Sequence, residues 1–600
     1  MHAHVLEPNI PGVDESWQWQ IDKTKARPIL PHDQQPGVYV GSYYDEETKR
    51  TYWLRDPSDR HVLLVAPTRA GKGVSFAVPN VLTYPQSTVI HDLKGELWAL
   101  TARYRRDKLD NLVFRFEATC NDGTGACFNP LDEVRLKTDY EVADAQNIAT
   151  LIVDPDGKGF SGENAHWART ARSFLVGAIL HVLYFEDDKT MHGLDAFLSH
   201  PRMTQMQIFE RMLQAEHDPL LERGWIDIDG EPTSTMPEVA MAARDMIERP
   251  EGERGSVMSS VKSFLDIYRD PIIAKNTCRS DFSIQDLMQN DRPVTLYIVN
   301  NPSDMDRSMP LTRLLFNFIM RGFTRSMKFD KQTGRPIKSY KHPLLLLMDE
   351  FNALGNLSIF ASALSFVAGF GIRVMIIAQD FVQLAERYGD FGARGIMANM
   401  HIKIMYAPGD PTTAAHFSNM LGKMTVRYHS KSGTSNGKAH WTEHLDQREM
   451  LTSDEFMALG SDQAVVHVMN QPAIACGRIT YYKEATFQRR VLPQLEESNC
   501  LPREQQAGTR LLEHLRKEAA KQAEIRKARA AQTKRQRDQE SGAPAPPGEL
   551  PVSPAQSAAP TPWGGIATAE PAPAPSAPVA GGSLVDKLDA AMRLDLDDGS

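Results

Sequence analysis

Five apolar runs along the chain predict buried strands that end in polar residues. They are His61–Ala66, Thr88–Asp92, Val294–Val299, Leu344–Met348 and Val374–Ala378. Short, nearly continuous apolar runs are typical of parallel strands that are covered on both faces, because such strands have no polar face to alternate with. The sequence therefore predicts an α/β domain with a mostly parallel sheet.

Between the second and third runs the apolar positions change to helical spacing. From Trp167 to Val182 they recur every three or four residues and form one stripe. We expect residues 136–289 to be an all-helical insertion in the α/β domain. The two parts of that domain are then residues 56–135 and 290–490, and residues 1–55 form an N-terminal segment.

The composition changes near residue 500 and predicts three further segments. Residues 491–540 are rich in Ala, Gln, Glu, Lys and Arg and are predicted to be a basic helical extension. Residues 541–582 contain eleven prolines and are predicted to be a disordered linker. Residues 583–600 are acidic with apolar residues at helical spacing. This last segment is predicted to be an amphipathic peptide that either docks on a partner or keeps the chain soluble.

Composition narrows the class of protein. The chain has 600 residues, of which 42% are hydrophobic and 24% charged, so it is a mostly globular chain of several domains. Its five cysteines follow no CxxC or Cys/His spacing, which argues against a disulfide framework or a zinc site and favours a reducing cytoplasm. No apolar run reaches the roughly 20 residues of a spanning helix, and the first residues carry no secretion signal.

The net charge of −9 limits how the chain could contact nucleic acid. The last hundred residues are net neutral, so residues 1–500 carry the whole negative charge. A surface with this balance would repel a phosphate backbone. We therefore expect any contact with DNA to be local, such as a pore loop.

The segment Ala66-Pro-Thr-Arg-Ala-Gly-Lys-Gly73 is a candidate phosphate-binding loop, since it follows a predicted strand and precedes a helix. Lys72 would reach the β- and γ-phosphates. Ala66 replaces the first Gly of the usual motif, and Gly73 replaces the hydroxyl residue that usually ligates Mg²⁺. The alternative is a surface lysine in a glycine turn. The residues predicted to bind the nucleotide are Pro67, Thr68, Arg69, Ala70, Gly71, Lys72, Gly73 and Val74.

Two later strands end in residues suited to phosphate chemistry. Asp349 and Glu350 follow an apolar strand in the Walker B pattern, in which Asp349 would hold Mg²⁺ through water and Glu350 would polarise the attacking water. Gln379 ends a further strand, where open α/β sheets place ligand contacts, and would sense the γ-phosphate. Each feature alone has a simpler interpretation as a strand end or a loop residue.

Together these segments resemble the type IV secretion coupling protein family, the TraG-like ATPases of conjugation within the FtsK/HerA group of RecA-like motors. The resemblance covers about residues 40–490. It rests on Ala66–Leu82, His91–Glu96, Phe128–Leu131, Asp349–Gly355, Gly369–Gln379 and Ala407–Lys423.

The resemblance implies a RecA-like P-loop domain that binds ATP and Mg²⁺ and hydrolyses ATP to ADP and phosphate. It implies a homo-hexamer at the cytoplasmic face of the bacterial inner membrane. The implied partners are a relaxase on single-stranded DNA, or protein effectors, and other subunits of the secretion channel, including ATPases. Members usually begin with transmembrane helices, which we do not predict here. Part of the family has a trans-acting arginine before the sensor strand, where Arg373 is the basic candidate.

Two other functions remain open at the level of sequence. An FtsK/HerA-type DNA translocase would use the same motor, although such proteins generally add a DNA-reading winged helix. A non-hydrolysing adaptor would carry a decayed P-loop, whereas Lys72, Asp349, Glu350 and Gln379 are all present. Hydrolysis of ATP that is stimulated by single-stranded DNA would separate the coupling ATPase from the adaptor.

Overall fold

The computed structural model describes residues 4–6, 37–45, 49–154, 159, 165–324, 328–334, 336–433 and 439–496. All of them belong to one compact unit, Met1–Gly508. The predicted linker and amphipathic peptide, and all but the start of the basic helical extension, lie outside the described residues.

Most strands of the described chain form one large sheet. Their bounds are β1 (His4–Leu6), β2 (Val38–Asp45), β3 (Arg50–Asp56), β4 (Val62–Val65), β5 (Ser87–Asp92), β6 (Leu112–Phe116), β7 (Val294–Val299), β8 (Lys328–Phe329), β9 (Pro336–Ile337), β10 (Leu344–Met348), β11 (Ile372–Ala378), β12 (Ile402–Met405), β13 (Lys423–Gly433), β14 (Ala439–Glu449), β15 (Gln463–Val468) and β16 (Ala473–Gly477). The order in the large sheet is β3-β2-β16-β15-β12-β4-β11-β10-β5-β7-β6, and β1 pairs with β16.

The predicted mostly parallel sheet is confirmed. From β12 to β6 each neighbouring pair of strands is parallel, and this part contains all five strands predicted from the apolar runs. The strands from β12 outward through β15, β16, β2 and β3 pair antiparallel. The chain therefore has a parallel centre with an antiparallel edge.

Helices cover the sheet and fill the predicted insertion. Their bounds are α1 (Val78–Val81), α2 (Glu96–Asp107), α3 (Glu141–Val153), α4 (Ala165–Phe185), α5 (Met191–Leu198), α6 (Gln205–Gln214), α7 (Pro237–Glu248), α8 (Glu251–Leu265), α9 (Pro271–Asn276), α10 (Asp286–Gln289), α11 (Met305–Phe323), α12 (Ser358–Ala363), α13 (Phe381–Asn399), α14 (Pro411–Leu421), α15 (Ser453–Met457) and α16 (Ala485–Gln488). Helices α3 to α10 lie between β6 and β7, which confirms the all-helical insertion. Within the described ranges, no helix is both long enough and apolar enough to cross a bilayer.

Burial on both faces explains the continuous apolar runs. On β10, Leu344, Leu346 and Met348 pack into the core on one side of the sheet, whereas Leu345 and Leu347 pack into the core on the other side. All five residues are completely buried. A strand in this position has no solvent-facing side, so every residue is selected for apolar packing.

The outer parts of the fold were missed by the sequence analysis. The antiparallel edge contains short strands such as β15 and β16, and β13 and β14 form a separate two-stranded ribbon of eleven residues per strand. The ribbon strands mix charged, polar and aromatic residues, as in Lys423-Met-Thr-Val-Arg-Tyr-His-Ser-Lys-Ser-Gly433. Neither a continuous apolar run nor a clean alternation marks them as strands.

Arg105, a buried arginine on α2, connects the end of helix α1 to the starts of the three strands β5, β6 and β7. Arg105 on α2 has no solvent exposure, and burial lowers its pKa to about 10. Its guanidinium nitrogens donate to six acceptors at 2.7–3.0 Å: Val81 O, Tyr84 O, Gln86 O, Thr88 Oγ1, Asn111 Oδ1 and Thr295 Oγ1. These bonds fix the end of α1 against β5, β6 and β7.

A buried neutral histidine precedes β4. Val374 N donates to His61 Nδ1 at 3.1 Å, and His61 Nε2 donates to Leu364 O at 3.0 Å. A doubly protonated ring would lose the acceptor that Val374 N needs. Burial is the main cause that lowers the pKa of His61 from 6.5 to about 4.

We predict that His61 makes the stability of the fold depend on pH. Because the folded state binds the proton more weakly than the unfolded state, the stabilisation is complete above pH 6.5 and is lost as the pH falls towards 4. The stability advantage of the wild type over His61→Asn should shrink by about 2 kcal/mol between pH 7.5 and pH 5, measured by urea unfolding. An advantage that is the same at both pH values would mean that His61 titrates normally in the folded protein.

Candidate functional site

The candidate phosphate loop connects β4 to a helical segment, in the context predicted from the sequence. The backbone of Arg69 has φ +63° and that of Gly71 has φ +79°, so the loop turns twice through the left-handed region. A helical turn begins at Gly73 and continues into α1. Ser75 N and Ser75 Oγ both donate to Gly71 O, at 2.9 and 2.7 Å, which ties the loop to this first turn.

The acidic pair lies at the end of β10, on the same edge of the sheet as the loop. Glu350 has φ +53°, which is unusual for a residue with a side chain. Such backbone conformations cost free energy and are found preferentially at functional sites. The turn places the Glu350 carboxylate towards the phosphate loop, where its two oxygens have different partners.

Three of the predicted residues meet at this carboxylate. Lys72 Nζ forms an ion pair with Glu350 Oε1, and Gln379 Nε2 donates to Glu350 Oε2 at 2.9 Å. The side chains of Lys72 and Glu350 are only 12% and 21% exposed. Thr68 Oγ1 donates to Gln379 Oε1 at 3.0 Å, so the loop also contacts the amide directly. The ends of β4, β10 and β11 are thus joined by side chains.

Gln379 is held in place by residues that the sequence analysis missed. Gln383 Nε2 donates to Gln379 Oε1 at 3.3 Å and to Asp380 Oδ2 at 2.7 Å. Asn352 Nδ2 in turn donates to Gln383 Oε1 at 3.0 Å. The amide of Gln379 is therefore connected to the turn after Glu350 by a second path. In the sequence, the only indication of these contacts is a cluster of amide side chains near the ends of two strands.

Asp349 is the buried member of the acidic pair. Its Oδ1 atom is buried and has no hydrogen-bond partner within the described residues. Burial is the main cause that raises the pKa of Asp349 from 3.8 to about 6; Lys72 lowers it, and Glu350 and Asp92 raise it. An unpaired buried carboxyl oxygen near a phosphate loop fits a divalent cation, because oxygen ligands suit Mg²⁺.

Two residues of β5 lie beside Asp349. His91 Nδ1 donates to Asp349 O at 2.9 Å, and burial lowers the pKa of His91 to about 4. Asp92 is 2% exposed and accepts a hydrogen bond from Trp98 N at 2.8 Å. It therefore provides an acceptor for a backbone N–H group in the first turn of α2. Burial raises the pKa of Asp92 to about 6. Asp92 is therefore engaged in the backbone of α2 rather than directed at the phosphate loop.

The outer side of the phosphate loop is supported by the antiparallel edge of the sheet. Arg478 NH1 donates to Ala70 O at 2.8 Å, and its guanidinium lies 3.6 Å from the centre of the Tyr406 ring. The Tyr406 hydroxyl lies 2.8 Å from Ser75 Oγ. Sequence reasoning missed both residues, because neither belongs to a motif near the loop in sequence.

Arg373, which the resemblance suggested as a trans-acting arginine, is buried and has its partners in its own chain. Arg373 is the second residue of β11, whereas the phosphate loop lies at the other end of the strands, about 16 Å away along five residues. It is 4% exposed, and its NH2 donates to Asp56 Oδ2 at 2.6 Å. Its Nε donates to Arg60 O at 2.8 Å. Arg373 is therefore a buried structural residue with partners in its own chain.

The fold and the loop together define the class of protein. A parallel sheet carries a glycine-containing loop after β4, and β11 lies between β4 and the acidic strand β10. This is the RecA-like α/β fold that the sequence predicts, with an all-helical insertion.

Comparison with known proteins gives the family. Residues 20–504 match the family described as type IV secretory system conjugative DNA transfer, and the chain belongs to this family. Conjugal transfer protein TraG of Escherichia coli is 41% identical over 497 residues, covering 79% of this chain and 75% of that protein. Protein VirD4 of Rhizobium radiobacter is 28% identical over 443 residues, covering 73% of this chain and 59% of that protein.

Among solved structures, the chain is similar to the bacterial conjugative coupling protein TrwBdeltaN70 in its unbound monoclinic form. The two chains are 18% identical with a TM-score of 0.49, and the match covers 74% of this chain and 87% of that one. The predicted function as a conjugative coupling protein is confirmed by the family and its TraG and VirD4 relatives. The DNA translocase alternative is not favoured.

We predict that Arg373→Met destabilises the fold by about 3–5 kcal/mol, because it leaves the Asp56 carboxylate buried without its partner. The neighbouring Arg60 is exposed and forms its hydrogen bonds to Arg373 and Ser58 through backbone atoms, so Arg60→Met should change stability by less than about 0.5 kcal/mol. Urea unfolding of both variants is the measurement. Equal stability of the two variants would contradict the structural role of Arg373.

Proposed function

We propose that the chain binds ATP with Mg²⁺ and hydrolyses it to ADP and phosphate. The observation that supports this most strongly is the meeting of Lys72, Glu350 and Gln379, which come from the ends of three adjacent parallel strands. A cation in a phosphate loop, a carboxylate and a sensing amide are the groups that phosphoryl transfer to water requires.

Lys72 would bind the phosphates by leaving its present partner. In this structure its charge is neutralised by Glu350. The β- and γ-phosphates carry more negative charge than one carboxylate and would draw the ammonium group away, while the backbone N–H groups of the loop donate to their oxygens. Phosphate binding at Lys72 therefore releases one oxygen of Glu350.

Glu350 would then act on the attacking water. Its Oε2 atom already accepts from Gln379 Nε2, which orients the carboxylate, and the released Oε1 atom is free to accept a proton from water. Because Gln379 also contacts Thr68 of the loop, its amide connects the carboxylate to the phosphate side of the site. We propose that loss of the γ-phosphate is sensed through this pair of bonds.

Asp349 would hold the Mg²⁺ ion, through water. Its buried oxygen without a partner and its raised pKa both fit a cation at this position. When bound, Mg²⁺ neutralises charge on the β- and γ-phosphates. Gly73 has no hydroxyl group that could ligate the ion, and the Ser75 hydroxyl already forms hydrogen bonds with Gly71 O and the Tyr406 hydroxyl.

We propose further that this hydrolysis drives conjugative transfer at the cytoplasmic face of a bacterial inner membrane. The partners would be a relaxase on single-stranded DNA, or protein effectors, together with other subunits and ATPases of the secretion channel. The active form would be a homo-hexamer, in which a neighbouring subunit supplies the trans-acting charge. Membership of the conjugative transfer family supports this assignment.

The central test separates binding from turnover. Lys72 contacts phosphate throughout the reaction, so Lys72→Ala should lose both ATP affinity and hydrolysis. Glu350→Gln should lower turnover about 10²–10⁴-fold, the usual value of a positioned general base. Because Glu350 competes with phosphate for Lys72, this variant should bind ATP at least as tightly as the wild type.

The matched control is Glu96→Gln, at an exposed acid in the first turn of α2. It should leave affinity and turnover unchanged, measured by nucleotide titration and phosphate release. Near-normal hydrolysis by Glu350→Gln would refute the assignment of Glu350. Wild-type protein that binds ATP without hydrolysing it would instead indicate the adaptor.

A further inference from the structure

The side-chain amide of Gln379 has two possible orientations, which differ in the atom that faces Glu350. In this structure Gln379 Nε2 donates to Glu350 Oε2 at 2.9 Å. The reverse orientation would place Gln379 Oε1, an acceptor, against a carboxylate oxygen that also accepts. Glu350 would then lose the hydrogen bond that orients it. The orientation of this one amide therefore decides how the carboxylate is held.

Two described side chains donate to Gln379 Oε1, and they differ in how strictly they select its orientation. Thr68 Oγ1 donates at 3.0 Å, but a hydroxyl group can also accept, so Thr68 could bond to either end of the amide. Gln383 Nε2 donates at 3.3 Å, and an amide nitrogen does not accept. A reversed Gln379 amide would bring two donors together. Gln383 thus selects the orientation in which Gln379 holds Glu350.

The orientation of Gln383 is itself fixed by two neighbours. Asp380, the N-cap residue of α13, accepts from Gln383 N and from Gln383 Nε2, both at 2.7 Å. Because an ionised carboxylate only accepts, the amide nitrogen has to face Asp380. At the other end, Gln383 Oε1 accepts from Asn352 Nδ2 at 3.0 Å. In a capping box this oxygen would accept from the N-cap backbone N–H group instead, so the side chain of Gln383 serves the strand ends rather than the helix start.

We propose that Gln383 is a positioning residue for ATP hydrolysis, which holds the Gln379 amide in the orientation that orients Glu350. The inference rests on the proposed function, because it assigns how the carboxylate that acts on water is aimed. Asp380 orients Gln383, Gln383 orients Gln379, and Gln379 orients Glu350. What Gln383 provides to Gln379 is a donor. The chemical type of the group at position 383, rather than its size, should therefore set the rate of turnover.

The experiment is a series of substitutions in the full chain that keep, remove or reverse this donor. Gln383→Lys keeps a donor beside Asp380, Gln383→Met removes it with little change in size, and Gln383→Glu replaces it with an acceptor. Turnover is measured by phosphate release, and ATP affinity by nucleotide titration. Turnover should stay within about two-fold of the wild type for Gln383→Lys, fall about three-fold for Gln383→Met and fall about 10–100-fold for Gln383→Glu. The affinity should be unchanged in all three.

The order of the three variants separates amide orientation from packing, and two controls separate it from charge. If Gln383 only filled space, the uncharged Gln383→Met would be the most active variant. Glu386→Gln, at an exposed acid one turn further along α13, raises the charge by one as Gln383→Lys does and should leave turnover unchanged. In a Gln379→Met background, Gln383→Glu should cause no further loss, because the amide through which it acts is gone.

Equal turnover in the three variants, or the highest turnover in Gln383→Met, would overturn the role of Gln383. A further loss from Gln383→Glu in the Gln379→Met background would also overturn it, since the new charge would then act on the site directly. These results leave the proposed function intact when Glu350→Gln has lost turnover. A wild-type protein without turnover, or Glu350→Gln with normal turnover, would instead refute the proposed function and this inference with it.

Discussion

The ion pair between Lys72 and Glu350 is the interaction on which the candidate site depends. It joins a loop residue to an acid that lies 278 positions later in the chain. The two meet because β4 and β10 are separated only by β11, and all three strands run in the same direction. Parallel strands bring their carboxyl ends to one edge, so the loop, the acids and Gln379 converge there. If one of these strands slipped by one residue, the side chains would point to the opposite face and the site would be lost.

The same edge of the sheet concentrates more acidic groups than the nearby Lys72 neutralises. Asp349 and Glu350 lie near Lys72, Asp92 lies near Asp349, and burial raises the pKa of both aspartates to about 6. Asp92 gains compensation from the amides of α2, whereas an oxygen of Asp349 has no partner among the described residues. An arrangement of this kind is costly until a cation binds. The electrostatics and the geometry therefore both support the proposed binding of a metal ion and phosphates at this site.

The parallel centre of the fold could be predicted because buried strands leave a strong signal. Leu344–Met348 is apolar at every position, and the polar residues that follow it mark the edge of the sheet. The meeting of Lys72 and Glu350 at this edge could be predicted because both residues follow such strands. The buried pairing of Arg373 could not be predicted, because it depends on the register of β11 and on Asp56, which is distant in sequence. Arg478 was missed because its contact with the loop runs through the antiparallel edge, whose strands lack a regular pattern.

The most direct measurement is the structure of the wild-type protein with Mg²⁺ and a non-hydrolysable ATP analogue. The account predicts that Lys72 Nζ leaves Glu350 and lies within about 3.2 Å of a β- or γ-phosphate oxygen. Gln379 should remain bonded to the Glu350 carboxylate, with the other carboxylate oxygen facing the γ-phosphate. An analogue bound elsewhere, or one bound in the loop while the Lys72–Glu350 pair stays intact, would contradict the account.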